Sequence, residues 1–210
     1  MYSNIKQKTS ATRITMRPLD SDLYNGLVNL AKTFAKTNPK TFVEIGSYNG
    51  ESLEVFRNHL PKDCKIFCID PWLNNYDEND AASEISEMNE VEASFDRVMR
   101  KYRNIAKLKF ISNEIFELFD DESLDIVYID GNHKYEAVKE DIKLYLPKIK
   151  EDGIISGHDY DVPDVNFVQQ GEHETNKSLT QGVTRAIVEM IGEPDQTFKD
   201  LSWLKYKKNI

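Results

Sequence analysis

The sequence predicts an α/β fold, a doubly wound and mostly parallel sheet of seven strands with an antiparallel hairpin at one edge. Two observations carry this. Short runs rich in β-branched and aromatic residues alternate with runs of helical periodicity, the pattern of a parallel sheet covered on both faces. The chain has 210 residues, 40% of them hydrophobic, which is enough for one real core and excludes a disordered chain.

The elements follow in order. Residues 1–18 form a polar arm without the apolar core of a signal peptide, and residues 19–210 read as a single domain. Leu19, Leu23, Leu27, Leu30 and Phe34 recur at helical spacing over residues 19–35, and Asn38-Pro39 stops that helix. Strands are read over residues 41–46 (TFVEIG), 65–70 (KIFCID), 108–112 (LKFIS), 124–130 (LDIVYID) and 153–159 (GIISGHD). Helices are read over residues 50–60, 85–99 and 135–146, the last carrying Tyr135, Val138, Ile142, Tyr145 and Leu146 as its apolar stripe and closed by Pro147. A final helix spans residues 182–191, and two short strands near TFKDLS and WLKYKK make an antiparallel pair at the sheet edge. Residues 74–84 and 161–180 read as loops, the second long enough to be a functional lid.

Lys and Arg total 27 against 36 Asp and Glu, a net charge of −9 that repels phosphate backbones and anionic lipid. Nucleic acid is thereby excluded as a principal partner. No apolar run approaches the roughly 20 residues of a membrane span, so the chain reads as soluble, cytoplasmic and free of membrane. Cys64 and Cys68, four apart in a β-favouring run, face the same side and read as core residues, with no zinc or disulfide framework around them.

The first strand ends in Glu44-Ile45-Gly46-Ser47-Tyr48-Asn49-Gly50 and runs into a helix. Glycines there let a ligand approach the main chain. A dinucleotide fingerprint would place glycine at Tyr48 and ask for no acid at Glu44. An acid before the loop suits a ligand with an ammonium group, and Asp70, 20 residues after Gly50, suits a ribose diol. The alternative is that Gly46 and Gly50 only make a tight turn, with Glu44 a satisfied buried acid.

This set resembles the S-adenosylmethionine site of Rossmann-like class I methyltransferases. The resemblance implies that Glu44, Gly46 and Gly50 line the methionine portion, with Ser47 and Tyr48 in the same loop, and that Asp70 holds the ribose. Adenine would fall between the second and third strand ends, near Asn113 or Glu114, with Trp72 offering a stacking face or simple packing.

A second acidic cluster stands on the next two strand ends, in IDGNHKY and GHDY. Adjacent strands lie about 5 Å apart, so Asp130, His158 and Asp159 can converge on a divalent cation, most naturally Mg²⁺. Alternatively the two acids cap the segments that follow them. The stretch IDGNHKYEAVKEDIKLYLPKIKEDGIISGHDY, together with QGVTRAIVEMIGEP, resembles a class I branch related to macrolide-sugar O-methyltransferases and cephalosporin-hydroxylase-like proteins, and that likeness covers residues 42–203. It implies Asp130 and Asp159 as metal ligands, Asp130 also beside the methyl donor, and His158 where relatives often carry a carboxylate, which shifts preference toward Mn²⁺. His133 stands where catechol-type relatives carry a lysine base and is the candidate general base. Tyr160 is a candidate for orienting substrate, Tyr135 fits the core better, and His59 and His173 have no such setting.

The implied function is methyl transfer to a hydroxyl of a small-molecule acceptor with adjacent hydroxyls, such as a sugar or catechol. Two alternatives stay open, a metal-dependent hydroxylase-like enzyme on the same fold and a non-catalytic nucleoside-binding subunit. Acceptor recognition is expected in residues 1–18 and 161–180. Relatives of this architecture often form homo-oligomers, with an exposed tail such as WLKYKK available for contacts.

Overall fold

Five hydrophobic runs become the parallel part of one sheet: β1 (Thr41–Ile45), β2 (Lys65–Ile69), β3 (Ile105–Leu108), β4 (Leu124–Ile129) and β5 (Ile149–Gly157). A hairpin of β6 (Gln196–Thr197) and β7 (Trp203–Tyr206) completes seven strands in the order β3-β2-β1-β4-β5-β7-β6, with β7 antiparallel to β5. The structure, a computed structural model, describes residues 22–74, 76, 87–160 and 174–210. The polar arm 1–18, Ile85, nearly all of the loop 74–84, and residues 161–173 with His173 lie outside the described residues.

Both faces of the sheet are covered, which is why the strands are continuous apolar runs. On one face α1 (Asp22–Lys36), α2 (Glu51–His59) and α3 (Met88–Met99) bury Leu30, Phe34, Phe56, Val91 and Phe95 against Phe42, Ile66, Ile126 and Tyr128. On the other, α5 (Tyr135–Tyr145) and α6 (Glu174–Ile191) press Val138, Ile142, Ala186 and Ile187 onto Val43, Val127, Ile129 and Ile155. A short turn of helix, α4 (Ser112–Ile115), follows β3. Cys64 and Cys68 are both buried and free, in the first of these two layers. Among the described residues, no helix is long and apolar enough to cross a membrane.

Several boundaries differ from the expectation. Strand β3 starts at Ile105 and ends at Leu108, because its partner β2 supplies pairing only from Ile66 to Ile69; Phe110 then leaves the sheet, half-exposed. β5 begins at Ile149, four residues before the apolar run, since Lys150, Glu151 and Asp152 hide a strand whose pairing to β4 shifts register between Leu124 and Ile126. α6 begins at Glu174, so residues 174–180 are helix rather than loop; their composition is polar and gives no apolar stripe.

The strand expected near TFKDLS is there but short: it ends at Thr197, and the rest of that stretch is the turn of the hairpin. Phe198 N–H donates to Ser202 O, and the Asp200 carboxylate accepts from Ser202 N and Oγ, so local bonds close a turn that a ladder would have spread out. WLKYKK is not an exposed tail. Trp203 and Leu204 are buried, and β7 lies between β5 and β6.

The strand order reverses between β1 and β4, and in such a sheet the loops leaving those two strands part to open a crevice at their carboxyl ends. Gly26 of α1 meets the β6–β7 turn at that crevice. A Cβ added there would lie 2.0 Å from Asp200 Oδ1, so only glycine lets the helix and the turn touch.

Candidate functional site

A cavity of about 540 Å³ occupies the crevice and takes residues from every loop at the strands' carboxyl ends. The loop after β1 forms its floor. Gly46 has φ +87, and a Cβ there would lie 2.0 Å from the Asp130 carbonyl oxygen, so the position admits glycine alone. Gly46 N–H donates to Ile69 O and Asp130 N–H to Ile45 O, each at 2.8 Å, which ties the tips of β1, β2 and β4 together.

Glu44 lies beneath this floor and is fully buried. The hydroxyls of Ser47 and Ser52 donate to its two oxygens, each at 2.6 Å. Of the two readings left open for Glu44, the structure places the satisfied buried acid: it does not line the cavity, whereas Ser47 and Tyr48 do. Gly50, likewise off the cavity wall, faces α3, where its Cβ would crowd Val98 at 3.2 Å.

Burial pushes the Glu44 carboxyl up to about 7, against the two serine bonds. An acid whose folded pKa is raised stabilises the fold while protonated, and that contribution fades as pH climbs from its unfolded value through about 7. The shift corresponds to roughly 3 kcal/mol. Glu44→Gln keeps both serine partners without the charge. Its unfolding midpoint is expected to exceed the wild type's above about pH 8 and to match it near pH 5, read by thermal denaturation at both.

Asp70 is held in place by two main-chain donors, Tyr48 N–H at 2.9 Å and Trp72 N–H at 2.8 Å, and it lines the cavity. Burial raises its pKa. Trp72 is no stacking face. It is 2% exposed, packs on Phe95 with centroids 4.9 Å apart, donates Nε1–H to Tyr48 O, and is absent from the cavity wall. It braces the loop, while Phe110 and Ile111 line the wall after β3.

Of the two residues expected near adenine, Asn113 lines the cavity and donates to Glu140 at 3.1 Å. Glu114 instead caps α4 by accepting from Ile111 N–H. The sequence reading overlooked Asp141, which also lines the wall and is 4% exposed. Its signal was an acid on the buried arc of α5, flanked by Val138, Ile142 and Tyr145.

At the ends of β4 and β5 the acids converge, with a different histidine. One ligand atom each from Asp130, His133 and Asp159 lies within 4.8 Å of the others. His133 Nε2 is 3.4 Å from Asp130 Oδ1 and 3.2 Å from Asp159 Oδ2. His158, read as the third ligand, instead sets its Nδ1 3.2 Å from Asp159 Oδ1. Burial disfavours its charge, yet the Asp159 bond and the charges of Asp130, Asp159 and Asp200 outweigh burial and lift its pKa to about 9. Burial likewise pushes against the Asp159 carboxylate, and the two histidines overcome it, holding the pKa below its usual value.

Tyr160 is buried against Glu193 and does not reach the cavity, and Tyr135 pairs with Glu189 on the surface of α6. The remaining wall was not anticipated. Leu27 of α1 and Lys199, Asp200 and Leu201 of the β6–β7 turn line the cavity beside His158.

Residues 43–160 match a family model described as a methyltransferase domain. An uncharacterised protein of Acanthamoeba polyphaga mimivirus is 30% identical over 136 residues, which are 64% of this chain and 57% of that protein. A second match, in Sinorhizobium fredii, covers 14% of its protein, so this chain spans little more than half of one curated relative and a small part of the other. Among solved structures, the SAH-bound Podospora anserina methyltransferase PaMTH1 superposes with a TM-score of 0.58 at 14% identity, over 86% of this chain and 76% of that one. The O-methyltransferase TomG from Streptomyces achromogenes, solved with SAM, gives 0.50 at 16% identity, over 86% and 77%. At such identities the likeness is one of fold. With more than half of its length inside the family model and its cavity at the reversal of strand order, the chain belongs to the methyltransferase-domain family, in the class I fold of S-adenosylmethionine-dependent enzymes.

Proposed function

We propose that the protein moves a methyl group from S-adenosylmethionine to a hydroxyl of a small acceptor carrying two adjacent oxygens, with a divalent cation held by Asp130, His133 and Asp159. One observation carries the reading: the three-residue cluster stands against the glycine floor, since the Asp130 main chain is what Gly46 abuts. Carboxylate oxygens with one imidazole suit Mg²⁺ or Mn²⁺. When bound, the donor supplies an already activated sulfonium methyl and the cation makes an acceptor hydroxyl more acidic.

The chain's own residues hold and aim. The bare main chain at Gly46 admits the donor's methionine end, and Asp70, clamped by Tyr48 and Trp72, keeps lone pairs for two ribose hydroxyls. Asp130, hydrogen-bonded by the Tyr128 hydroxyl at 3.4 Å, points its carboxylate at the acceptor side. Fixing the acceptor oxygen in line with the methyl is worth several kcal/mol. In a second reading no cation takes part and His133 Nε2 accepts the acceptor's proton, favoured by the two carboxylates within 3.4 Å that would strengthen it as a base.

Methyl transfer from labelled donor to catechols and vicinal-diol sugars tests this, before and after chelation. Activity lost with EDTA and regained with Mg²⁺ or Mn²⁺ is the expected result. Activity indifferent to EDTA selects the His133 reading. No S-adenosylhomocysteine binding in calorimetry overturns both.

A further inference from the structure

The loop after β4 has open space on two sides. In front lies the large cavity. Behind lies a second, smaller void of about 10 Å³, and Asp130, Asn132, His133 and His158 line both, so a single thickness of chain parts the two spaces. Apolar side chains of α5 and α6 and the indole of Trp203 on β7 wall the void from the rear. Trp203 is 1% exposed, and among the described residues its Nε1–H has no hydrogen-bond partner. Its place is fixed: a Cβ on Gly157 would lie 2.9 Å from Nε1, so glycine alone admits this edge of the indole against the end of β5. The other tryptophan makes the contrast, since Trp72 Nε1–H donates to Tyr48 O at 2.8 Å.

A buried donor with no acceptor costs the free energy of stripping it from water, and native folds hold few of them. The void has about the room that one water molecule needs, and its far wall carries polar side chains that a dry apolar cavity would lack. We infer that a single ordered water sits behind the loop after β4, accepting from Trp203 Nε1–H and donating to polar atoms of residues 130–133. Trp203 is then a positioning residue, acting through the water and touching no ligand. Filling the void also supplies the van der Waals contacts that the rear of the loop would forgo against a gap. Asp130 and His133 are thereby braced from the side opposite the cavity. The inference goes beyond the methyltransferase reading and needs only the fold.

Two measurements test it. In heteronuclear NMR spectra the two indole signals are told apart with Trp72→Phe. The Trp203 N–H is expected to show a nuclear Overhauser effect to a long-lived water, with the sign of a bound molecule rather than of proton exchange, and the Trp72 N–H is not. Residue 203 is then replaced by benzothienylalanine, which keeps the shape of the indole without its N–H, and by Phe, with thermal unfolding to establish that each protein is folded. Hydrogen exchange of residues 129–135 is expected to quicken about tenfold in the benzothienyl protein, while that of β2 stays within about twofold. No water effect at the Trp203 N–H overturns the inference. So does loop exchange that is unchanged, or that quickens no more than that of β2, the mark of general loosening. Failure of the wild type to bind S-adenosylhomocysteine overturns the methyltransferase reading instead and leaves the water in place.

Discussion

Gly46→Ala is expected to abolish nucleoside binding. The new methyl group would lie 2.0 Å from the Asp130 carbonyl oxygen and 2.4 Å from its carbon, and both are main chain, so no side-chain rotation relieves the clash. The residue would also carry φ +87, where alanine is strained by about 1 kcal/mol or more. The tip of β1 must then move away from β4, breaking the bonds from Gly46 N–H to Ile69 O and from Asp130 N–H to Ile45 O. Affinity for S-adenosylhomocysteine should fall at least about 100-fold by calorimetry, because the displaced floor closes the approach to the main chain and the broken bonds each cost about 1 kcal/mol or more. Gly50→Ala makes the useful contrast. Its methyl group meets the Val98 side chain at 3.2 Å, away from the cavity, so binding should suffer less than the melting temperature. Equal nucleoside affinity in wild type and Gly46→Ala would refute the role given to the floor.

Asp130→Asn is expected to separate binding from chemistry. The amide keeps the shape of the carboxylate and leaves the main-chain contact with Gly46 untouched, so S-adenosylhomocysteine affinity should stay within about threefold. Methyl transfer should drop about 10³-fold, since the cluster loses the negative charge that holds a cation or supports His133. Parallel titrations with Mn²⁺ tell these apart: lost metal affinity together with lost turnover supports the cation, whereas lost turnover at unchanged metal affinity supports the base. Full activity in Asp130→Asn would remove the cluster from the mechanism, whereas nucleoside binding without methyl transfer in the wild type itself would favour the non-catalytic subunit. A methylated product formed without O₂ would exclude the hydroxylase-like alternative.

The residues legible in the sequence are those whose position follows from strand polarity alone. Gly46, Asp70, Asp130 and Asp159 all follow the carboxyl ends of parallel strands, which deliver their ends to one side of the sheet; the first three line the crevice, while Asp159 stays off its wall and joins the cluster through His133. What spacing does not encode is the direction a side chain takes after the strand ends. Asp159 sits at φ +60, and His133, three residues beyond Asp130, comes to within 3.2 Å of it; nothing in IDGNHKY or GHDY distinguishes that from a cluster centred on His158. Trp72 adopts φ +43 and folds back under the loop onto Phe95, a contact made by a helix that starts 16 residues later. Asp141 escaped notice because an apolar stripe is read by its apolar members, and the polar residue on the same arc carries the information. The edge hairpin was legible but not where its first strand stops, because Asp200 and Ser202 bond locally, which β-propensity does not weigh.

The contact between Gly26 and Asp200 joins two stretches that both fall outside residues 43–160, the span shared with the family. Leu27 on one stretch and Lys199 and Leu201 on the other roof the same chamber whose base the shared span builds. The two stretches outside the shared span thus form the ceiling as one piece, since the Gly26–Asp200 contact fixes each against the other. Swapping those two stretches together between relatives, rather than either alone, is the transplant this architecture would tolerate.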